Sequence, residues 1–231
     1  MRSLLFVPGD SERKQAKALA SEADALILDL EDSVAPEQRD AARQRVHDFL
    51  SAAGTKRAKA LWVRPNGPDS GLLAEDLAAV AAGRPDGILL PKVSGVRALA
   101  AVSAEVGKLE ARHSIPAGSI RLAAIVTETP RALLSLGEFA PGIDSRVSFL
   151  TWGMEDLAAA LGASGQREHD GSLTPTFQLA RTLCLVAASA AGALAIDGVY
   201  TDFRDAKGLG EEAHCAAGDR FSGKVGDHPD P

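Results

Sequence analysis

The chain has 231 residues, which suits one domain and lies in the range that a closed α/β barrel needs. A formal net charge of −6 argues against a nucleic-acid surface, which requires a clustered basic face. With an aromatic share of only 4%, the core has to be built mainly from Ala, Leu and Val, as suits helices packed on a parallel sheet.

In chain order, short apolar runs alternate with amphipathic stretches. Strands are expected at 3–7, 25–30, 60–63, 87–90, 120–126, 147–150, 196–200 and, weakly, 220–221. Helical patterns lie at 11–20, 37–50, 72–82, 95–111 and 176–191. Strands that alternate with helices pair in parallel through right-handed crossovers, and the run ALILDL at 25–30 reads as a strand buried on both faces. Eight such strands predict a (β/α)₈ TIM barrel, with a doubly wound open sheet as the alternative. The domain is expected over 1–222, with a loose Gly- and Pro-rich tail at 223–231. Too few residues follow the eighth strand for an eighth helix, so the barrel is expected to be C-terminally short, and either something else closes it or a partner subunit covers that face.

No stretch approaches the roughly 20 apolar residues of a membrane helix. The start MRSLLFVPGD is broken by Pro8 and Gly9 too early for a signal peptide. Cys184 sits in an apolar run and reads as a small core residue; with Cys215 it makes no disulfide framework. A cytoplasmic location is the expectation.

Nearly every strand ends in a charged or special residue, and in a barrel those ends converge on one mouth. Glu128 and Asp156 stand just past the fifth and sixth strands. Two carboxylates with positions left for water and substrate oxygens suit Mg²⁺; equally, each could serve the start of the helix that follows it. Arg64 ends the third strand before Pro65-Asn66-Gly67, a turn that fixes its direction. It could clasp a substrate carboxylate bidentately, or pair structurally with Asp29, Glu31 or Asp32. Those three acids, crowded at the end of the second strand, could orient Arg64, hold metal-bound waters or act as acid and base. Lys92 could reach an anionic ligand or pair with an acid. No nucleophile elbow, Walker A loop or zinc-type histidine spacing occurs. The stretch at 208–213 matches GxGxxA only superficially and reads as a helix entry.

The strings RSLLFVPGD, DALILDLEDSVAPEQRDAAR, WVRPNG, GILLPKV, IVTETP, WGMEDLAAALGA, IDGVYTDFRDAKGL and FSGKVGDHP resemble the citrate lyase β-subunit-like family, which includes malyl-CoA and citramalyl-CoA lyases. The resemblance implies that Glu128 and Asp156 ligate Mg²⁺, and that Arg64 holds the carboxylate of a keto acid with help from the backbone amides of Glu155 and Asp156. It places Glu31 and Asp32 near the metal waters and Lys17 on the CoA or acyl-carrier side. It also implies a homo-oligomer, with a trimer favoured. The sequence departs from the family at Thr129-Pro130, which stiffens a helix start, and where GKVGDHPDP ends the chain. In the family, further C-terminal helices cover the site and, in some members, supply a catalytic acid from a neighbouring subunit. The expected function is a Mg²⁺-dependent carbon–carbon lyase acting on a carboxylated 3-hydroxyacyl thioester (citryl, citramalyl or malyl). The alternatives are a malyl-CoA-type thioesterase and a barrel that binds metal and keto acid without turnover.

Overall fold

A computed structural model describes residues 1–202 and 204–227. Eight parallel strands close in sequence order into a barrel: β1 (Ser3–Pro8), β2 (Ala25–Asp29), β3 (Ala60–Arg64), β4 (Gly87–Leu90), β5 (Arg121–Ile125), β6 (Val147–Thr151), β7 (Leu194–Asp197) and β8 (Gly223–Gly226). The helices are α1 (Glu12–Leu19), α2 (Arg39–Ala53), α3 (Leu73–Ala81), α4 (Val96–Arg112), α5 (Pro130–Leu134), α6 (Met154–Leu161), α7 (Pro175–Ala191) and α8 (Ala206–Gly218). The expected (β/α)₈ architecture is thus the one formed: one helix returns the chain from each strand to the next, except between β6 and β7, where α6 and α7 follow each other.

Two apolar layers hold it. The outer layer lies between strands and helices; α2, for example, buries Ala42, Val46 and Leu50 at steps of four, the spacing of one helix face. The inner layer fills the barrel with Leu4, Ala25, Ile27, Trp62, Leu89, Ala123, Phe149, Ile196 and Val225. Small residues there face large ones. Gly87 lies against the Trp62 ring, where a Cβ would collide, and Trp62 meets Phe149 edge-on with ring centroids 4.8 Å apart. Cys184 is fully buried in the outer layer, as expected, and Cys215 is exposed.

The C-terminal end corrects the sequence reading. The eighth strand is Gly223–Gly226, inside the segment expected to be a loose tail, and 220–221 is not a strand. Arg220 has a left-handed φ of 79° and the Phe221 amide donates back to Ala216 O at 2.9 Å, so these two residues turn the chain out of α8. The strand itself was hidden by its two glycines. Gly223 is needed because a Cβ would collide with the backbone carbonyl of Arg2, the residue just before neighbouring β1. The rest of the expected tail, 228–231, lies outside the described residues. β7 is also displaced, beginning at Leu194 and ending at Asp197. Among the described residues no helix is long and apolar enough to cross a membrane.

Candidate active site

The mouth at the C-terminal ends of the strands holds a cavity of about 420 Å³. Asp29, Asp32, Arg64, Glu128, Glu155 and Asp156 all line it.

At the end of β2 and β3, which pair with Asp29 opposite Arg64, the guanidinium is gripped from below. Arg64 Nε donates to Asp29 Oδ1 at 2.7 Å and Nη2 to Oδ2 at 2.8 Å. Its Nη1 lies 3.4 Å from Glu31 Oε2 and 3.6 Å from Asp32 Oδ2, and the Phe6 ring lies under the guanidinium at 4.4 Å. Asp29 also accepts from the amides of Glu31 and Ser33, both at 3.0 Å. Burial pushes the Asp29 carboxyl up, but the pair with Arg64 outweighs it and holds the group below the ordinary range. The structural pairing and the presentation of Arg64 at the mouth therefore coexist. Asn66 fixes the following turn, donating through Nδ2 to Leu30 O at 3.0 Å and to the buried Asp76 at 2.8 Å.

Glu128 and Asp156 meet across the ends of β5 and β6. Hydrogen bonds tie those ends: Val126 N donates to Thr151 O at 2.9 Å, and Gly153 N to Thr127 Oγ1 at 3.1 Å. Neither acid caps a helix by its side chain. Thr129 caps α5, accepting from Ala132 N at 3.1 Å with Pro130 in the first turn, as expected of that pair. Gly153 stands at the N-cap of α6. A Cβ on Gly153 would lie 2.7 Å from Glu128 Cγ, so this glycine makes the space in which Glu128 sits. Glu128 is buried, and its carboxylate accepts the amide of Lys92. Burial first, and then the neighbouring charges of Glu31 and Asp156 together with an Asp156 hydrogen bond, raise its pKa well above the ordinary value.

Lys92, at a left-handed φ of 55° just past β4, turns its amide to Glu128 and its ammonium to the acids. Nζ lies 2.8 Å from Glu31, 3.5 Å from Asp32 and 3.5 Å from Asp156. Burial works against its charge, but these acids outweigh it and hold its pKa above the ordinary lysine value. Burial raises Glu31 to about 7 despite Arg64 and Lys92. Glu31 is buried beside the mouth, whereas the Lys92 ammonium reaches Asp32 and Asp156, which line the cavity. Glu155 is exposed and accepts from Gln166 Nε2 at 2.8 Å. Lys17 is exposed in the last turn of α1 and does not line the mouth. Thr127, Thr151 and Gly153 were not singled out from the sequence, although Thr127 and Gly153 lie in the strings IVTETP and WGMED.

Among the described residues no three His, Cys, Asp or Glu side chains form a ready-made metal cage. A pair of carboxylates that leaves positions for water and substrate is the donor set typical of Mg²⁺, and it suits neither a structural zinc site nor an all-protein calcium site.

A closed parallel barrel carrying a carboxylate pair and an anchored guanidinium at its C-terminal mouth defines a barrel enzyme site. The chain belongs to the HpcH/HpaI aldolase/citrate lyase family, which it matches over residues 2–229. It is 36% identical over 228 residues to a (3S)-malyl-CoA thioesterase of Cereibacter sphaeroides, covering 99% of this chain and 73% of the relative. It is 37% identical over 225 residues to a citrate lyase subunit beta-like protein of Mycobacterium tuberculosis, covering 97% and 74%. The fold is similar to that of the citrate lyase beta subunit from M. tuberculosis complexed with oxaloacetate and magnesium. That match has a TM-score of 0.82 at 35% identity and covers 98% of this chain and 91% of the other.

Proposed function

We propose that the chain is a Mg²⁺-dependent carbon–carbon lyase that cleaves a carboxylated 3-hydroxyacyl thioester of the citryl, citramalyl or malyl type into a keto acid and an acyl thioester. The observation that carries this reading is the meeting of the Glu128–Asp156 pair with the Arg64 guanidinium around one cavity. The pair fits the ion chemically: Glu128 is buried beside a second carboxylate and its hydrogen-bond donor is an amide. A divalent cation held there keeps both groups ionised. When bound, Mg²⁺ supplies Lewis-acid polarisation of the oxygen that becomes the keto group.

The remaining work falls to the chain's own residues. Arg64 receives the substrate carboxylate in a fork geometry that Asp29 orients. The first-turn amides of Glu155 and Asp156 at the start of α6 add donors to the same carboxylate. Asp29, with both oxygens already bonded, positions Arg64 and does not exchange protons. The hydroxyl proton passes to Asp32, which lines the cavity, with Glu31 behind it near neutrality as the proton reservoir. The bond from the carbinol carbon to the thioester α-carbon then breaks. Its electron pair goes to the thioester enolate, and a proton returned to that carbon completes the acyl thioester. Lys92 holds Glu31 and Asp32 in place, and Lys17 on the outside of α1 faces the phosphates of the CoA or acyl carrier. Exposed Leu134, Leu179, Val186 and Leu194 support association of copies into a homo-oligomer, with a trimer as the form tested by light scattering. Two free thiols suit a reducing cytoplasm.

The test is to incubate the purified protein with Mg²⁺ and each of the three thioesters, following keto acid with a coupled dehydrogenase and free thiol with a thiol reagent. Keto acid without free thiol supports cleavage. Free thiol without keto acid selects thioester hydrolysis, the second reading, which the thioesterase relative favours. Binding without either product selects the non-catalytic barrel.

A further inference from the structure

A carboxylate is buried away from the mouth, on α3. Asp76 is only 1% exposed, does not line the cavity, and has both oxygens bonded. Its Oδ1 accepts Arg43 Nε of α2 at 2.7 Å. Its Oδ2 accepts Asn66 N at 2.7 Å and Asn66 Nδ2 at 2.8 Å. Arg43 also meets the exposed Asp40 and Glu75 at 2.9 and 3.0 Å. Packing of α3 on α2 does not require such a group, because apolar side chains of similar volume can often replace a buried ion pair without loss of stability. The charge at Asp76 is explained instead by what it holds.

It holds Asn66. The side-chain amide of Asn66 donates to two acceptors, Asp76 Oδ2 and, at 3.0 Å, Leu30 O, so it has one orientation. Leu30 in turn donates its N–H to Arg64 O at 2.9 Å. Leu30 stands between Asp29 and Glu31, and Arg64 is joined to Asn66 through Pro65, whose ring locks φ. The exits of β2 and β3 are thus stitched together through Leu30 and Asn66, and the stitch is tied down at Asp76. One exit carries Asp29, Glu31 and Asp32; the other carries Arg64, gripped by Asp29.

We infer that Asp76 is a positioning residue for substrate binding, acting through Asn66 to set the place and direction of Arg64 relative to the acids past β2. Its carboxylate serves as the acceptor for Asn66, and its charge answers Arg43. This rests on the lyase reading above and extends the binding machinery to a residue outside the mouth.

Two double variants separate positioning from packing. In Arg43→Leu/Asp76→Asn both charges go, but an amide oxygen still accepts from Asn66. In Arg43→Leu/Asp76→Leu that acceptor goes as well, and apolar side chains fill the space. Pyruvate, glyoxylate and oxaloacetate are each titrated calorimetrically into the Mg²⁺-saturated proteins, and KM and kcat are measured with the thioester that the wild type cleaves. The first variant is expected to stay within about threefold of the wild type in keto-acid affinity and KM. The second is expected to lose at least tenfold in both, as a displaced binding group does, with kcat changed less and Mg²⁺ affinity unaltered. Asn66→Ala, which cuts the same link, serves with the same expectation if the second variant does not fold. Wild-type affinity in the folded second variant overturns the inference and leaves the lyase reading standing. So does an equal loss in both variants, which marks Asp76 as structural. A wild-type protein that binds none of the three keto acids and cleaves no thioester overturns the lyase reading, and this inference with it.

Discussion

Asp29 and Arg64 face each other on adjacent strands and form a two-pronged ion pair, 2.7 and 2.8 Å long, at the floor of the mouth. Asp29 is only 1% exposed, so the pair is shielded from solvent, and breaking one partner leaves the other charge buried. Asp29→Ala is expected to cost about 3–5 kcal/mol of stability, read from urea unfolding. Asp29→Asn keeps the shape but loosens the guanidinium. It is expected to raise KM for the thioester more than it lowers kcat, because Arg64 supplies orientation. A variant with unchanged KM contradicts the positioning role.

Gly153 tests the fit of Glu128 without touching any acid. Its φ of −116° is open to any residue, so the effect of Gly153→Ala is steric: the new Cβ meets Glu128 Cγ at 2.7 Å. The variant is expected to lose at least tenfold in Mg²⁺ affinity by calorimetry, with near-native circular dichroism. Unaltered affinity would show that Glu128 is not placed by this contact.

The carboxyls at the mouth give metal binding a defined pH dependence. Burial holds Glu128 well above its ordinary pKa and puts Glu31 at about 7, so near neutrality the metal-free protein carries protons that a cation expels. Mg²⁺ affinity is expected to rise from about pH 6 to about pH 8, with proton release visible as a buffer-dependent heat. The sign for stability is the reverse. A folded pKa raised above the unfolded value of 4.5 contributes stability that is fully present below that value and is lost as pH rises through about 7. For Glu31 the metal-free loss is on the order of 2–3 kcal/mol. Urea unfolding at several pH values checks it, and a metal-free protein more stable at pH 8 than at pH 5 contradicts it.

Outside the mouth, Asp197 at the end of β7 is fully buried and joins three elements. It accepts Trp152 Nε1 at 2.7 Å and Arg181 Nε at 3.0 Å, with Lys224 Nζ at 3.3 Å. Burial pushes its carboxyl up, but Lys224 and Arg181 outweigh that and hold it below the ordinary range. Asp197→Ala strands the Trp152 indole N–H and takes from Arg181 and Lys224 their buried partner, leaving them Asp219 and Glu212, and is expected to cost about 3 kcal/mol, measured by denaturant midpoint.

Much of this was legible in the residues. ALILD is buried at every position, as an all-apolar parallel strand should be, and the acids and arginine placed just past strand ends do share one mouth. What stayed hidden has physical reasons. β8 carries two glycines and a lysine among four residues, so hydrophobic pattern could not mark it; only its place between β7 and β1 does. Arg64 could be read either as ion-paired or as substrate-facing because a buried guanidinium with five donors can be both. Gly153 and Thr127 matter through distances across β5 and β6, which no local pattern encodes.

The central claim is that Glu128 and Asp156 jointly hold one divalent cation. Titration of Mn²⁺, as a paramagnetic stand-in for Mg²⁺, followed by electron paramagnetic resonance of the free ion, tests it most directly. The wild-type protein is expected to bind a single Mn²⁺, which Mg²⁺ displaces, and Glu128→Gln and Asp156→Asn are each expected to lose that binding while remaining folded. Wild-type affinity retained in either variant would contradict the account.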